Sequence, residues 1–254
     1  MHFRDAGHGR TLLLLHALPL DGRMWDHQRV VLQGDLRVIV PDFPGFGLSP
    51  APDGSPSLDD WAGELLAALR GTGVEEAVIA GGSMGGYVAL AMLRAAPQFV
   101  RGLALVNSRA AADSDEQRAA RLAAIERIKA EGFTFVIEGA PASALSKTSL
   151  AGRPAAVARV RAMAAAATPA GIIAAQRAIG ARPDSRVLLG QATVPIAIIH
   201  GEDDPVVPIA EARELAASLS HATFTPIPEA GHLPSVEQPE AVTAALRELL
   251  RRAG

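Results

Sequence analysis

The stretch AVIAGGSMGGYVAL, residues 77–90, constrains this chain more than any other. Four apolar residues of strand character, Ala77 to Ala80, run directly into an Ala- and Leu-rich helical stretch. Four glycines crowd one serine between them. A strand that turns at once into a helix needs a tight bend, and its apex residue is forced toward positive φ. Side chains beside that apex would collide with adjacent strands, and glycines relieve the crowding. Gly81-Gly82-Ser83-Met84-Gly85 therefore predicts an elbow that holds the Ser83 hydroxyl clear of a sheet, at the amino end of a helix. Taken alone, G-x-S-x-G also occurs by chance in glycine-rich chains; the strand before it and the helix after it give it weight. The glycines do not build a P-loop, because the required Lys is missing, and G-x-G-x-x-G is absent.

The rest of the chain supplies a sheet for that elbow. Thr11–Leu15, Leu36–Val40, Ala77–Ala80, Gly102–Val106 and Pro195–His200 read as continuous apolar strands, with a weaker one at Thr223–Ile227. Runs of this kind suit parallel strands covered on both faces. Helical stretches alternate with them at Leu58–Arg70, Gly85–Ala95, Ile209–Ser218 and Pro239–Arg252. The expected fold class is α/β, with a doubly wound, mostly parallel sheet. The alternation stops between about Ser108 and Thr193, where only helices are readable. We expect residues 1–107 and 194–254 to form the core and residues 108–193 a helical cap over the carboxyl edge of the sheet.

A serine hydroxyl needs a base, and the base an orienting acid. His232 in PEAGHLPSVEQP follows the last strand and precedes the last helix, so it belongs on a loop at the carboxyl edge. Without Ser83 it would read as an ordinary loop histidine. The acid is expected between the two, in AIIHGEDDPVVP. Asp204 is preferred, because the turn after Gly201 brings the third residue back toward the strand end. Asp203 is the alternative, more suited to capping the turn, and Glu202 reads as exposed. Asn107, at the end of the preceding strand, is no carboxylate. An oxyanion hole needs two backbone N–H groups. Met84 supplies one; Leu18, between His16 and Pro19 in HALPLDGRMW, is the expected second.

Together LLLLHALP, VIVPDFPGFGLS, GGSMGG, GEDDPVVP and AGHLPSVEQPE resemble the α/β-hydrolase superfamily in order and spacing. The resemblance implies Ser83 as nucleophile, Asp204 as acid, His232 as base, and Leu18 and Met84 as oxyanion donors. It implies a mostly structural turn at Asp42 to Gly47. HALPLDGRMWDHQ followed by SMGG is similar to 3-oxoadipate enol-lactonases and cofactor-free haloperoxidase-like esterases. Met24 and Trp25 in that stretch are equally well explained as anchors of the loop. Three departures stand out. Ala17 occupies the usual Gly position, there is room for only one strand before Thr11, and the cap is Ala-rich and poor in aromatics. Arg109, Arg153, Arg159, Arg161, Arg177 and Arg182 are its obvious cations, and each individually reads best as part of a solvated helix face.

The implied reaction is hydrolysis of a small-molecule ester or lactone through an acyl-enzyme, without metal or organic cofactor. Leu145, Met163 and Ile172 of the cap, with Leu18, Trp25 and Leu233, are the expected apolar lining. A serine at the elbow argues against dehalogenase or epoxide hydrolase chemistry, which uses aspartate there. The same triad would serve perhydrolysis, thioester cleavage or carbon–carbon bond hydrolysis. A ligand receptor or sensor on the same scaffold is the rival from another class; it would retain a ligand with negligible turnover.

Composition narrows the partners. A net charge of −3 and a pI near 6.2 leave no basic footprint for nucleic acid or an anionic membrane. The absence of cysteine removes disulfides, thiol nucleophiles and thiolate metal sites. MHFRDAGHGR lacks the order of a signal peptide, and TLLLLHALPL is too short to span a bilayer. We expect a soluble, cytoplasmic protein; no stretch of the sequence specifies an oligomeric interface.

Overall fold

A computed structural model describes residues 1–254. Seven strands form one sheet: β1 (His2–Ala6), β2 (Thr11–Leu15), β3 (Arg37–Asp42), β4 (Ala77–Gly82), β5 (Val100–Val106), β6 (Ile196–Gly201) and β7 (Ala222–Ile227). Their order is β1-β3-β2-β4-β5-β6-β7. Only β1 runs antiparallel, paired with β3; all other neighbours are parallel. The chain is thus an α/β protein with a mostly parallel sheet. The order reverses at β2 and β4, so the ends of these strands flank the switch point where such sheets bind ligands.

Alternation along the strands sorts the core into two layers. Leu13, Leu15, Ile79, Leu103, Leu105, Ile196 and Ile198 point to one face, where α2 (Leu58–Gly71), α3 (Met84–Ala95) and α10 (Ile209–Ala217) cover them. Leu12, Leu14, Val78, Ala80, Ala104, Val106, Ala197 and Ile199 point to the other, covered by α1 (Asp26–Leu32) and α12 (Pro239–Arg252). The helices follow from local rules. Ser57 and Asp60 form a reciprocal capping box that starts α2. Pro239 begins α12, where its missing N–H costs nothing, and Val242, Leu246, Leu249 and Leu250 form its buried stripe.

Between β5 and β6 lie six helices and no strand: α4 (Asp115–Glu131), α5 (Thr134–Ala144), α6 (Lys147–Gly152), α7 (Pro154–Ala164), α8 (Pro169–Gly180) and α9 (Arg186–Gln191). This helical segment straddles the sheet edge. Ile172, Ala175 and Ile179 of α8 extend the α2–α3 layer, whereas Ala140, Val160 and Met163 of α5 and α7 extend the α1–α12 layer. Several hydrogen bonds pin it to the core. Thr168 N–H donates to the Gly45 carbonyl at 2.8 Å. Arg23 donates to the Ala162 carbonyl at 3.1 Å, and Arg159 to the Arg23 carbonyl. His232 N–H donates to the Ala144 carbonyl at 2.6 Å. The four-residue helix α11 (Pro234–Glu237) completes the chain order. No single helix is long and apolar enough to cross a membrane.

Candidate active site

Ser83 has φ +48° and ψ −111°, the left-handed backbone that the elbow requires of a residue with a side chain. The surrounding glycines are needed for space. A Cβ on Gly81 would strike the backbone of Gly85 and Gly86, and one on Gly85 would strike Leu15. Ser83 N–H donates to Val106 at 2.9 Å, its carbonyl accepts Ser108 Oγ at 2.8 Å, and the Gly86 N–H closes the first turn on the same carbonyl. The Ser83 side chain, half-buried, hydrogen-bonds to no protein group. It stands at the amino end of α3, where the helix dipole favours developing negative charge.

Asp204 and His232 form a bonded pair. His232 Nδ1 lies 3.0 and 2.9 Å from the two Asp204 oxygens. Both side chains are buried. With Nδ1–H donating, the Nε2 lone pair is free to take a proton. Asp204 Oδ1 also accepts Val206 N–H at 2.7 Å and Val207 N–H at 3.1 Å. Burial alone would push this carboxyl up, but the bonds from His232, Asn107 and Val206 outweigh it and hold it below the usual carboxylate range. Asp203 is exposed, and its N–H serves the turn by donating to Ala230; Glu202 is exposed too. The carboxylate beside the histidine is Asp204.

Asn107 is the residue that sequence reasoning passed over. It sits at the end of β5 with φ +47° and is fully buried. Its Nδ2 donates to Asp204 Oδ2 at 2.6 Å and to the Gly231 carbonyl at 3.1 Å, while its Oδ1 accepts Gly201 N–H at 3.1 Å. One amide thus ties the ends of β5 and β6 to Asp204 and to the residue before His232. Because Ser83 N–H is bonded to the neighbouring Val106, a short chain of bonds runs from Ser83 to His232. A polar, non-glycine residue ending a buried strand was the available signal. His200 is also buried; its Nε2 meets the Val207 carbonyl at 2.9 Å and lies 3.4 Å from Asp204 Oδ2. Burial lowers its pKa.

The two expected oxyanion donors leave the sheet side by side. Leu15, which ends β2, is in register with Gly81 and abuts Gly85. Leu18 follows it in a loop, and its N–H has no protein acceptor. Met84 opens α3, where first-turn N–H groups have no intrahelical partner. His16 stiffens this loop. Its Nε2 accepts Phe43 N–H at 2.9 Å, leaving Nδ1–H to donate to the Ala17 carbonyl at 3.0 Å. Met24 Sδ accepts Ala17 N–H at 3.1 Å.

The expected lining residues fall on both halves of the helical segment. Ile172 belongs to the α2–α3 layer, with the Leu18 side chain packed against that layer. Leu145, Met163, Leu233 and Trp25 belong to the other. Trp25 is wholly buried, and its indole N–H donates to the Leu15 carbonyl at 3.0 Å, so it anchors the loop, as the plainer reading had it. Five of the six arginines singled out from the sequence are engaged. Arg109 pairs with Glu211 at 2.7 Å, Arg182 with Asp113 at 2.6 Å, and Arg177 with Ser55 Oγ at 2.7 Å. Arg153 donates to the Glu237 carbonyl at 2.5 Å, Arg159 is bonded to Arg23 and Asp26, and Arg161 is exposed. No group of three or more His, Asp or Glu side chains is placed to hold a metal ion.

Residues 10–239 match the alpha/beta hydrolase fold family. The chain is 30% identical to a pimeloyl-acyl-carrier-protein methyl ester esterase of Aromatoleum aromaticum, over 94% of this chain and 98% of that protein. It is 25% identical to 3-oxoadipate enol-lactonase 2 of Acinetobacter baylyi, over 95% of this chain and 89% of that one. A malate-bound thermophilic esterase from Thermogutta terrifontis superposes with a TM-score of 0.95, is 37% identical, and covers 99% of this chain and 93% of its own.

Proposed function

The chain belongs to the alpha/beta hydrolase fold family, and from that membership we propose that it is a serine hydrolase cleaving a small ester or lactone through an acyl-enzyme. The observation that carries this reading is the buried Asp204–His232 pair, with Nε2 left free on the strand edge that also presents the strained Ser83. In the proposed reaction His232 Nε2 takes the Ser83 proton as Oγ attacks the carbonyl carbon. The negative charge on the carbonyl oxygen is received by the N–H groups of Leu18 and Met84. Collapse of the tetrahedral adduct expels the alcohol, which leaves with the proton from His232. A water that gives its proton to His232 then attacks the acyl-enzyme, and the acid departs from Ser83. Asp204 holds the imidazole in the required tautomer and stabilises its charged form. Losing one oxyanion donor would cost roughly 10²–10³ in rate.

In this reading residues 108–193 act as a cap over the core formed by 1–107 and 194–254. An ester or lactone is supported by similarity to a methyl ester esterase, an enol-lactonase and an esterase. Nine of the ten arginines in residues 108–193 already have protein partners, and the tenth, Arg161, is exposed, which favours an uncharged acyl group over one ending in a carboxylate.

Turnover of p-nitrophenyl acetate and butyrate, then of a small lactone panel, tests this beside Ser83→Ala. The expected result is ester turnover that Ser83→Ala abolishes. Tight ligand retention without turnover would instead favour a receptor on this scaffold.

A further inference from the structure

Glu237 follows His232 by five positions and is only 4% exposed. Its Oε1 accepts the N–H of Gly231 at 2.9 Å and of Leu233 at 3.3 Å. Its Oε2 accepts the N–H of Ser146, in the segment joining α5 to α6, at 2.9 Å. The N–H between the first two, that of His232, goes to the Ala144 carbonyl at 2.6 Å. Three consecutive amides centred on the base are therefore all taken, two by one carboxylate and one by the helical segment that the same carboxylate grips. The Gly231 carbonyl is held in turn by Asn107.

No Arg or Lys nitrogen reaches the Glu237 carboxylate; its charge is met by amide dipoles alone. A buried carboxylate is costly unless its oxygens are bonded, so its place here needs a reason. Geometry supplies one. The base loop and residues 144–146 each need an acceptor, and a carboxylate has two, whereas a glutamine amide has only one and would turn its NH2 toward a backbone N–H. Local sequence prepares the reach: Leu233 is the N-cap of α11, Pro234 its first residue, and the Glu237 side chain folds back onto the cap amide.

We propose that Glu237 is a positioning residue of the hydrolytic site: it sets the His232 loop against Asp204 and registers residues 144–146 on that loop. This rests on the serine-hydrolase reading. Glu237 touches no reacting atom; it acts through the placement of His232, and misplacement of about 1 Å can cost about 10²-fold in rate.

The test compares wild type, Glu237→Gln, the exposed Glu240→Gln and Ser83→Ala as full chains on p-nitrophenyl butyrate. Glu237→Gln is expected to lower kcat by about 10- to 10²-fold with little change in KM, and to broaden or shift the downfield proton resonance of His232 Nδ1–H. Glu240→Gln is expected to match wild type. Wild-type kcat and an unmoved resonance in folded Glu237→Gln, with Ser83→Ala inactive, overturn the role of Glu237 and leave the nucleophile standing. Full turnover by Ser83→Ala overturns both. Hydrogen exchange on the wild type decides the matter even if Glu237→Gln does not fold. Protection of the Gly231, Leu233 and Ser146 amides as one group supports the clamp, and fast exchange at Gly231 and Leu233 contradicts it.

Discussion

Asn107 Nδ2 donates to Asp204 Oδ2 across 2.6 Å, joining residues 97 positions apart at the ends of neighbouring parallel strands. The contact leaves Asp204 no freedom to swing away from His232. Asn107→Ala would remove it and strand the Gly201 N–H, a buried donor, at a cost of about 1–3 kcal/mol. We expect a lower urea midpoint together with a fall in kcat of at least tenfold on p-nitrophenyl esters. Wild-type kcat in this variant would show that Asp204 needs no such support.

Asp204 and Asp203 separate by mutation. Asp204→Asn keeps the shape but offers His232 the wrong tautomer partner, and for the proposed triad the expected loss is about 10⁴-fold in kcat. Asp203 is exposed and contributes its backbone to the turn. Asp203→Asn is expected to stay within about twofold of wild type in steady-state assays, since surface changes of this kind are usually mild. A reversed pair of results would move the acid to Asp203.

Backbone strain at Ser83 predicts a trade of stability against activity. A non-glycine residue at φ +48° costs on the order of 1–3 kcal/mol, which the surrounding structure enforces. Ser83→Gly and Ser83→Ala both remove the hydroxyl and should both be inactive. Ser83→Gly should melt higher than Ser83→Ala, because glycine adopts the same φ without a Cβ. Equal melting temperatures by calorimetry would mean that the elbow is unstrained.

Stability should fall with acid in two stages. Burial lowers the pKa of His16 and His200, so the unfolded chain takes up their protons first. Their contribution is complete above about pH 6.5 and drains as the pH falls below it. Burial would raise Asp42, Asp113 and Asp204, but bonds from Arg4, from Arg121 and from His232 outweigh it and hold all three low. Their contribution is complete above about pH 4 and is lost below it. Urea midpoints should drop gently from pH 6.5 to 4.5 and steeply beneath. A flat midpoint across the upper window would contradict the neutral, buried state of the two histidines.

Much of the sheet was readable because its strands are buried on both faces. Thr11–Leu15 stands where its apolar run puts it, and the boundaries of Pro239–Arg252 coincide with the observed helix. β1 was legible only as room for one strand before Thr11: HFRDA is polar, and as an antiparallel edge strand it pairs with β3 alone. The strained turn at Ser83 was legible because the elbow is local. Asn107 and Glu237 were not. The Asp204 partner of Asn107 and the Ser146 partner of Glu237 lie far off in sequence, and a single amide or carboxylate carries no periodicity to reveal that it spans 97 or 91 positions.

Covalent labelling tests the central claim most directly. The chain is incubated with a serine-directed fluorophosphonate and the modified peptide is sequenced by mass spectrometry. The account predicts one label per chain, on Ser83, with labelling slowed strongly in His232→Ala. A stoichiometric label on any other residue, or labelling of Ser83 that ignores the loss of His232, would contradict it.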